Sequence, residues 1–135
     1  MDCFSYENDV YRCEGMSLAD IAREFGTPAY VYSEKTVTDH YTKLDTALES
    51  VPHRICYSVK TNSNLVVLAH MAKLGSGFDI VSGGELYRVI KAGGDVSKVV
   101  FAGVGKTRDE MRQAIDAGIF MFNIESLPEA ETLSD

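Results

Sequence analysis

Phe78-Asp79-Ile80-Val81-Ser82-Gly83-Gly84-Glu85-Leu86-Tyr87-Arg88-Val89-Ile90-Lys91-Ala92-Gly93 is the stretch that decides the fold. It opens on a short apolar, β-branched run and then passes through Ser82-x-x-Glu85, a capping box that starts a helix. It closes on glycine, the residue that helix C-termini favour. The unit recurs. Runs of the same kind are Ala29–Tyr32, Arg54–Val59, Phe78–Val81, Val99–Ala102 and Phe120–Ile124, and their first residues stand 25, 24, 21 and 21 apart. A strand, a helix of about three turns and two short loops fill that interval.

The intervening segments carry helix punctuation of their own. After Ser33, the residues Val37, Tyr41, Leu44 and Leu48 make one apolar stripe; after Ser63, Leu65, Leu68, Ala69 and Ala72 make another, stopped by Gly75. Thr107-x-x-Glu110 is a second capping box, with Gly118 at its far end, and Ser126-Leu127-Pro128-Glu129 opens a third. Strands that alternate with helices pair in parallel through crossover connections. The class is therefore α/β, closed either as an open doubly wound sheet or as a (β/α)8 TIM barrel. Near-uniform repeats without a glycine-rich dinucleotide loop favour the barrel. A whole barrel takes about 250 residues, so about five βα units in 135 residues predict a partial one. The domain division expected is 1–28, a strand and a short helix, followed by 29–135, an incomplete barrel. In the first part Ser17–Phe25 reads as a capped helix ended by Gly26 and Pro28. Val10–Cys13 reads as an isolated strand with nothing nearby to pair with.

Composition narrows the functions. Thirteen Lys+Arg against 20 Asp+Glu leave a net charge of −7, which argues against a nucleic-acid or anionic-membrane surface. No apolar run approaches the roughly 20 residues of a spanning helix. The start Met1-Asp2-Cys3 lacks a basic region followed by an apolar one, so no secretory signal is read. Cys3, Cys13 and Cys56 are odd in number and form no C-x-x-C pair, which points to a reducing cytoplasm rather than a disulfide framework or a zinc site.

Several residues look chemical. Gly103-Val104-Gly105-Lys106-Thr107 resembles the end of a phosphate-binding loop, but Val100 stands where that motif needs its first glycine, so a strand-to-helix turn capped by Thr107 is the better reading. His40, His53 and His70 show no metal-binding spacing and read as solvated. Lys60 ends the run Arg54–Lys60 and shares a strand face with the small residues Cys56 and Ser58. Lysine is costly in a buried strand, and a partly desolvated amine at a strand's C-terminal end suits Schiff-base chemistry. A lysine that ends its strand and reaches solvent fits the spacing as well, and on spacing alone is favoured. Asp79 between Phe78 and Ile80 needs a donor, either a lysine on the next strand or backbone amides of the following loop. Glu85 is accounted for by its capping box.

Tyr57-Ser58-Val59-Lys60-Thr61-Asn62 resembles the lysine strand of the fold-type III pyridoxal-phosphate decarboxylases. Gly77–Leu86 resembles their next strand and helix start. Phe101–Thr107 and Phe25–Tyr32 resemble, respectively, the following unit and the barrel entry as diaminopimelate decarboxylases write them. The likeness runs in register over essentially the whole chain. It implies pyridoxal 5'-phosphate as cofactor, with Lys60 holding it covalently, Asp79 beside the link and Glu85 in the surrounding network. It further implies a small amino-acid substrate, diaminopimelate giving lysine and CO2, with ornithine, arginine and carboxynorspermidine decarboxylases as siblings, and a homodimer in full-length members. The family's first strand joins a β-domain formed mainly by later sequence, a place that Val10–Cys13 would take. Complete members draw further cofactor-binding parts from positions that 135 residues do not include. The chain by itself is therefore expected to be inactive, and a non-catalytic remnant that binds cofactor weakly or only associates is the alternative.

Overall fold

The computed structural model describes residues 3–134. The chain divides into two compact units, Met1–Pro52 and His53–Asp135.

In the first unit three antiparallel strands, β1 (Phe4–Glu7), β2 (Val10–Cys13) and β3 (Met16–Ser17), lie in the order β1-β2-β3. Two-residue turns join them. Asn8 and Asp9 have φ of 49° and 63°, and Glu14 and Gly15 have 49° and 84°. Paired positive φ values match the right-handed twist of strands in a tight hairpin. Val10–Cys13 is thus the central strand of a small sheet and not an isolated one. The chemistry was present in Asn8-Asp9 and in Gly15, residue types that tolerate left-handed backbone.

Helix α1 (Leu18–Phe25) is capped by Ser17, whose side chain accepts the Asp20 N–H, and it packs on β2 and β3. The turn residue Glu14 reaches the start of α2 (Glu34–Leu48), where its carboxylate accepts the Ser33 hydroxyl at 2.7 Å and the Lys35 N–H at 2.8 Å. Those two donors, Ser33 foremost, hold the Glu14 carboxyl below its ordinary range. Ala29–Tyr32, expected to be a strand, forms no ladder among the described residues, and Tyr30 is 90% exposed. Its β-branched and aromatic content was the right local signal, but a strand also needs a partner for its N–H and C=O groups.

The second unit is a parallel four-stranded sheet, β4 (Cys56–Ser58), β5 (Gly77–Ile80), β6 (Val99–Phe101) and β7 (Met121–Phe122), with its strands side by side in sequence order. Between them run α3 (Leu65–Lys73), α4 (Gly83–Lys91) and α5 (Arg108–Ala117), and α6 (Leu127–Ser134) follows. Register sorts the side chains onto two faces. Phe78, Ile80, Val99 and Phe101 share one face and are fully buried together with Val59, Leu68 and Val89; Met71, Leu86, Met111 and Ala114 complete this helix-covered core. The other face carries Cys56, Ser58, Asp79 and Val100, all half-buried.

Ser82 and Thr107 both cap their helices, with the full box closing only at Thr107, whereas α3 is capped by Asn64 in place of Ser63 and buries Leu68 and Met71 with Leu65 44% exposed. Among the described residues no helix is long and apolar enough to cross a membrane.

Gly103 lies where the backbone just after β6 passes close to the backbone just after β5. A Cβ there would stand 2.5 Å from the Val81 carbonyl oxygen and 2.9 Å from the Val81 carbonyl carbon and Cα. Backbone meeting backbone cannot step aside. Gly103→Ala is expected to destabilise the unit by about 1–3 kcal/mol, read as a fall in the urea midpoint. An unchanged midpoint would contradict the close approach.

Candidate functional site

Strand β4 ends earlier than the sequence suggests. After Ser58 the chain enters one 3-10 turn, Val59–Thr61, so Lys60 lies in a turn at the C-terminal end of the strand. The turn is braced on both sides of the lysine. Val59 is fully buried. Thr61 Oγ1 donates to the Ser58 carbonyl at 2.7 Å, and the Tyr57 hydroxyl donates to the Asn62 carbonyl at 3.1 Å. Asn62 Oδ1 accepts the Asn64 N–H at 3.0 Å, which leads the chain into α3. The motif thus spends its tyrosine, threonine and asparagine on fixing backbone, while the lysine side chain is left out of the brace. Lys60 is exposed and makes no hydrogen bond or ion pair among the described residues. The expected desolvation is not met within this chain, because the face of the sheet toward which the strand's small residues point is only partly covered.

Asp79 is half-buried on β5, directly opposite Ser58 in the ladder. Its donor is the Ser58 hydroxyl, at 2.9 Å to Oδ2. Neither the lysine of the adjacent strand nor the amides of the following loop supply it. The serine, singled out in the sequence only for being small, orients the carboxylate. Hydrogen bonds to a charged acceptor contribute about 1.5–3 kcal/mol, enough to hold one rotamer while the second oxygen stays available.

Glu85 does not close a complete capping box. Its own N–H donates to Ser82 Oγ at 3.2 Å, but its carboxylate reaches one residue further back, accepting the Val81 N–H at 2.8 Å. Val81 directly follows β5, so Glu85 ties the first turn of α4 to the strand that carries Asp79.

Two other charged groups near these strand ends have long-range partners that the sequence did not indicate. Glu110 caps α5 by accepting the Thr107 N–H and hydroxyl on Oε2, and its Oε1 accepts the Gly83 N–H at 2.9 Å. These donors, Gly83 first, lower its carboxyl from the ordinary value. Lys106 is buried, and its ammonium donates to the Gly103 carbonyl at 2.6 Å, to the Asn123 carbonyl at 2.8 Å and to Glu129. The reading of Gly103–Thr107 as a turn capped by Thr107 holds, and the lysine inside it serves as an internal tie. A partner 23 residues away leaves no spacing signal.

The chemistry available at the ends of β4 and β5 is a primary amine on a fixed backbone and an oriented carboxylate on the neighbouring strand. An amine of this kind condenses with an aldehyde, and a carboxylate beside it can hold the proton of the resulting link. That donor set fits pyridoxal phosphate.

Residues 34–135 match the sequence model of the pyridoxal-dependent decarboxylase, pyridoxal binding domain. The chain is 54% identical to the diaminopimelate decarboxylase of Pseudomonas aeruginosa over 133 residues, 98% of this chain and 32% of that protein. It is also 54% identical to the diaminopimelate decarboxylase of Vibrio cholerae over 135 residues, 99% of this chain and 32% of that protein. The chain therefore spans about a third of the length of the curated relatives it matches. Among solved structures, diaminopimelate decarboxylase from M. jannaschii in complex with L-lysine superposes with a TM-score of 0.94 at 33% identity, covering 98% of this chain and 32% of that one. With its sheet, its lysine turn and its sequence in agreement, the chain belongs to the pyridoxal-dependent decarboxylase family, by way of that family's pyridoxal-binding domain.

Proposed function

We propose that this chain forms the lysine-bearing part of a diaminopimelate decarboxylase, which converts meso-2,6-diaminopimelate to L-lysine and CO2. Lys60 is the residue that bonds pyridoxal phosphate, Asp79 lies beside that bond and Glu85 supports it. The carrying observation is the pairing of an unpartnered Lys60 on a braced turn with a Ser58-oriented Asp79 one strand away. Identity of 54% to diaminopimelate decarboxylases supports the choice of substrate.

The finer architecture follows the same reading. A parallel sheet in sequence order, with one face sealed by helices and the other half-open, suits part of a (β/α)8 barrel whose open face is the barrel interior. Residues 1–28 then form the segment that joins a β-domain, and 29–135 the barrel part, in a cytoplasmic enzyme that acts as a homodimer.

When bound, pyridoxal phosphate supplies a sink for the electron pair released as CO2 leaves. This chain's own residues do the placing. Tyr57 and Thr61 fix the backbone on either side of Lys60, so the amine is delivered from a defined root. Lys60 would hold the cofactor through its side-chain amine, which can bond an aldehyde covalently. Asp79, oriented by the Ser58 hydroxyl, would present its carboxylate to that nitrogen. Glu85 fixes Val81 and with it the exit of β5.

Incubation with pyridoxal phosphate, borohydride reduction and peptide mass spectrometry test the assignment. The expected result is a phosphopyridoxyl adduct concentrated on Lys60. Labelling spread over the exposed Lys43, Lys73 and Lys91 would overturn it. In the same preparation, release of CO2 from meso-diaminopimelate is expected to stay at the level of free pyridoxal phosphate, since the matched relatives are about three times as long.

A further inference from the structure

Three helices of the second unit carry a glutamate in their first turn, and the three carboxylates are used differently. Glu85 of α4 bonds the Val81 N–H and Glu129 of α6 bonds the Glu125 N–H, each reaching back along its own chain. Glu129 also takes the Lys106 ammonium on its other oxygen, and Glu110 of α5 divides itself in the same way. Oε2 serves its own helix at Thr107, while Oε1 crosses 27 residues of sequence to the N–H of Gly83, the first residue of α4.

The close approach is built into Gly83. A Cβ there would meet Glu110 Cγ at 3.1 Å and Gln113 Oε1 at 3.3 Å. The first N–H groups of a helix have no partner within it, and here one of them is taken by the neighbouring helix. The consequence reaches the site. Gly83 starts the turn that contains Glu85, and Glu85 holds Val81, two residues beyond Asp79. Displacing Gly83 moves one end of a short chain of contacts whose other end is the exit of β5.

We propose that Glu110 is a positioning residue for the cofactor site, clamping the start of α4 so that Glu85, Val81 and Asp79 keep their places beside Lys60. This rests on the reading of Lys60, Asp79 and Glu85 given above. A carboxylate is required, because all of its partners are donors. Glutamine has a single acceptor oxygen and must give up either Gly83 or Thr107, while turning an NH2 toward an N–H.

The experiment reads the ratio of phosphopyridoxyl label on Lys60 to label on the exposed Lys73 in one sample of the full chain, at equal folded fraction. Thr107→Ala removes part of the α5 cap and leaves the Gly83 bond, so its ratio is expected to match the wild type. Glu110→Ala and Glu110→Gln are expected to lower the ratio by about tenfold, in line with the sensitivity of site chemistry to small misplacements. If Glu110→Ala does not fold, Glu110→Gln decides. If neither folds, Gly83→Ala presses on the same contact from the other side and is expected to lower the ratio. Equal ratios for Thr107→Ala and the Glu110 or Gly83 variants would overturn the proposal. A wild-type chain that shows no preference for Lys60 would instead overturn the assignment of the site.

Discussion

Lys60→Ala is expected to abolish the site-specific phosphopyridoxyl adduct altogether while leaving the unfolding free energy from urea titration within about 0.5 kcal/mol of wild type. The two halves of the expectation have different sources. Loss of the adduct follows from chemistry, since no other residue of the turn Val59–Thr61 has a primary amine. Unchanged stability follows from geometry, since the lysine is exposed and partnerless while the brace around it uses Tyr57, Thr61 and Asn62. Four of the other lysines are engaged or buried, so the exposed Lys43 and Lys73 are the competitors against which selectivity is read. Lys35 is bound to Asp39 at 2.7 Å, Lys98 donates to the Gly75 carbonyl at 3.2 Å, Lys91 lies 5.3 Å from the Tyr87 ring centre, and Lys106 is sealed inside. Lys60→Arg is the sharper control. It keeps the positive charge but presents a guanidinium, which stays protonated and forms no stable link with an aldehyde. Persistence of the adduct mass on the Tyr57–Asn62 peptide in either variant would overturn the assignment. A midpoint that fell with Lys60→Ala would show that the side chain is part of the fold.

What was legible in the sequence was local. The caps at Ser17, Ser33, Ser82 and Thr107 depend on a side chain and an N–H three residues apart, so spacing alone carries them. The order of strands and helices in the second unit is equally local, because each alternation of period is written into ten or fifteen residues. Ala29–Tyr32 shows the limit. Its composition suits a strand, yet strand status is conferred by a partner, and composition does not name one. Val10–Cys13 failed in the other direction. Its partners begin just beyond a two-residue turn on either side, hidden behind turns whose requirement is two successive positive φ values and not an apolar pattern.

The site divides along the same line. Lys60 and Asp79 stand out because a charge in an apolar, strand-forming run is a local anomaly, but spacing alone favours a lysine that reaches solvent, and the proposed role comes from the family resemblance. Their surroundings were not found. The bond from Ser58 to Asp79 needs the register between two strands, and the bond from Glu110 to Gly83 needs two helix starts to lie side by side. Register and helix packing arise from the fold as a whole, so residues that work through them carry no signature in spacing. Burial is the same kind of property: Lys60 was expected to be shielded and is exposed, whereas Lys106, read as part of a turn, is the buried amine.

Lys106→Met is expected to be among the most destabilising single changes in the second unit. The lysine side chain is 0% exposed and the Glu129 side chain 9%, so the pair exchanges little with water. Methionine fills much of the same volume but donates nothing. It orphans the buried Gly103 carbonyl, at about 1–3 kcal/mol for an unsatisfied acceptor, and leaves the Glu129 carboxylate without its ammonium. A fall in Tm on the order of 10 °C follows. Replacing both partners, Lys106→Met with Glu129→Leu, is expected to recover about half of the loss, because the larger cost lies in stranding one charge and not in lacking the pair. The pH dependence has a definite sign. Lys106 holds Glu129 below its ordinary value of 4.5. A carboxyl with a lowered folded pKa adds stability above its unfolded pKa and loses it as pH falls through the folded one. The gap between wild type and Lys106→Met is therefore widest near neutrality and narrows as pH drops below about 4.5, toward the lowered folded value. Thermal or urea unfolding of the two proteins across that range measures it. A gap that stayed constant into acid would show that Glu129 contributes no charge to the tie, and one that widened would reverse the assignment of which partner depends on the other.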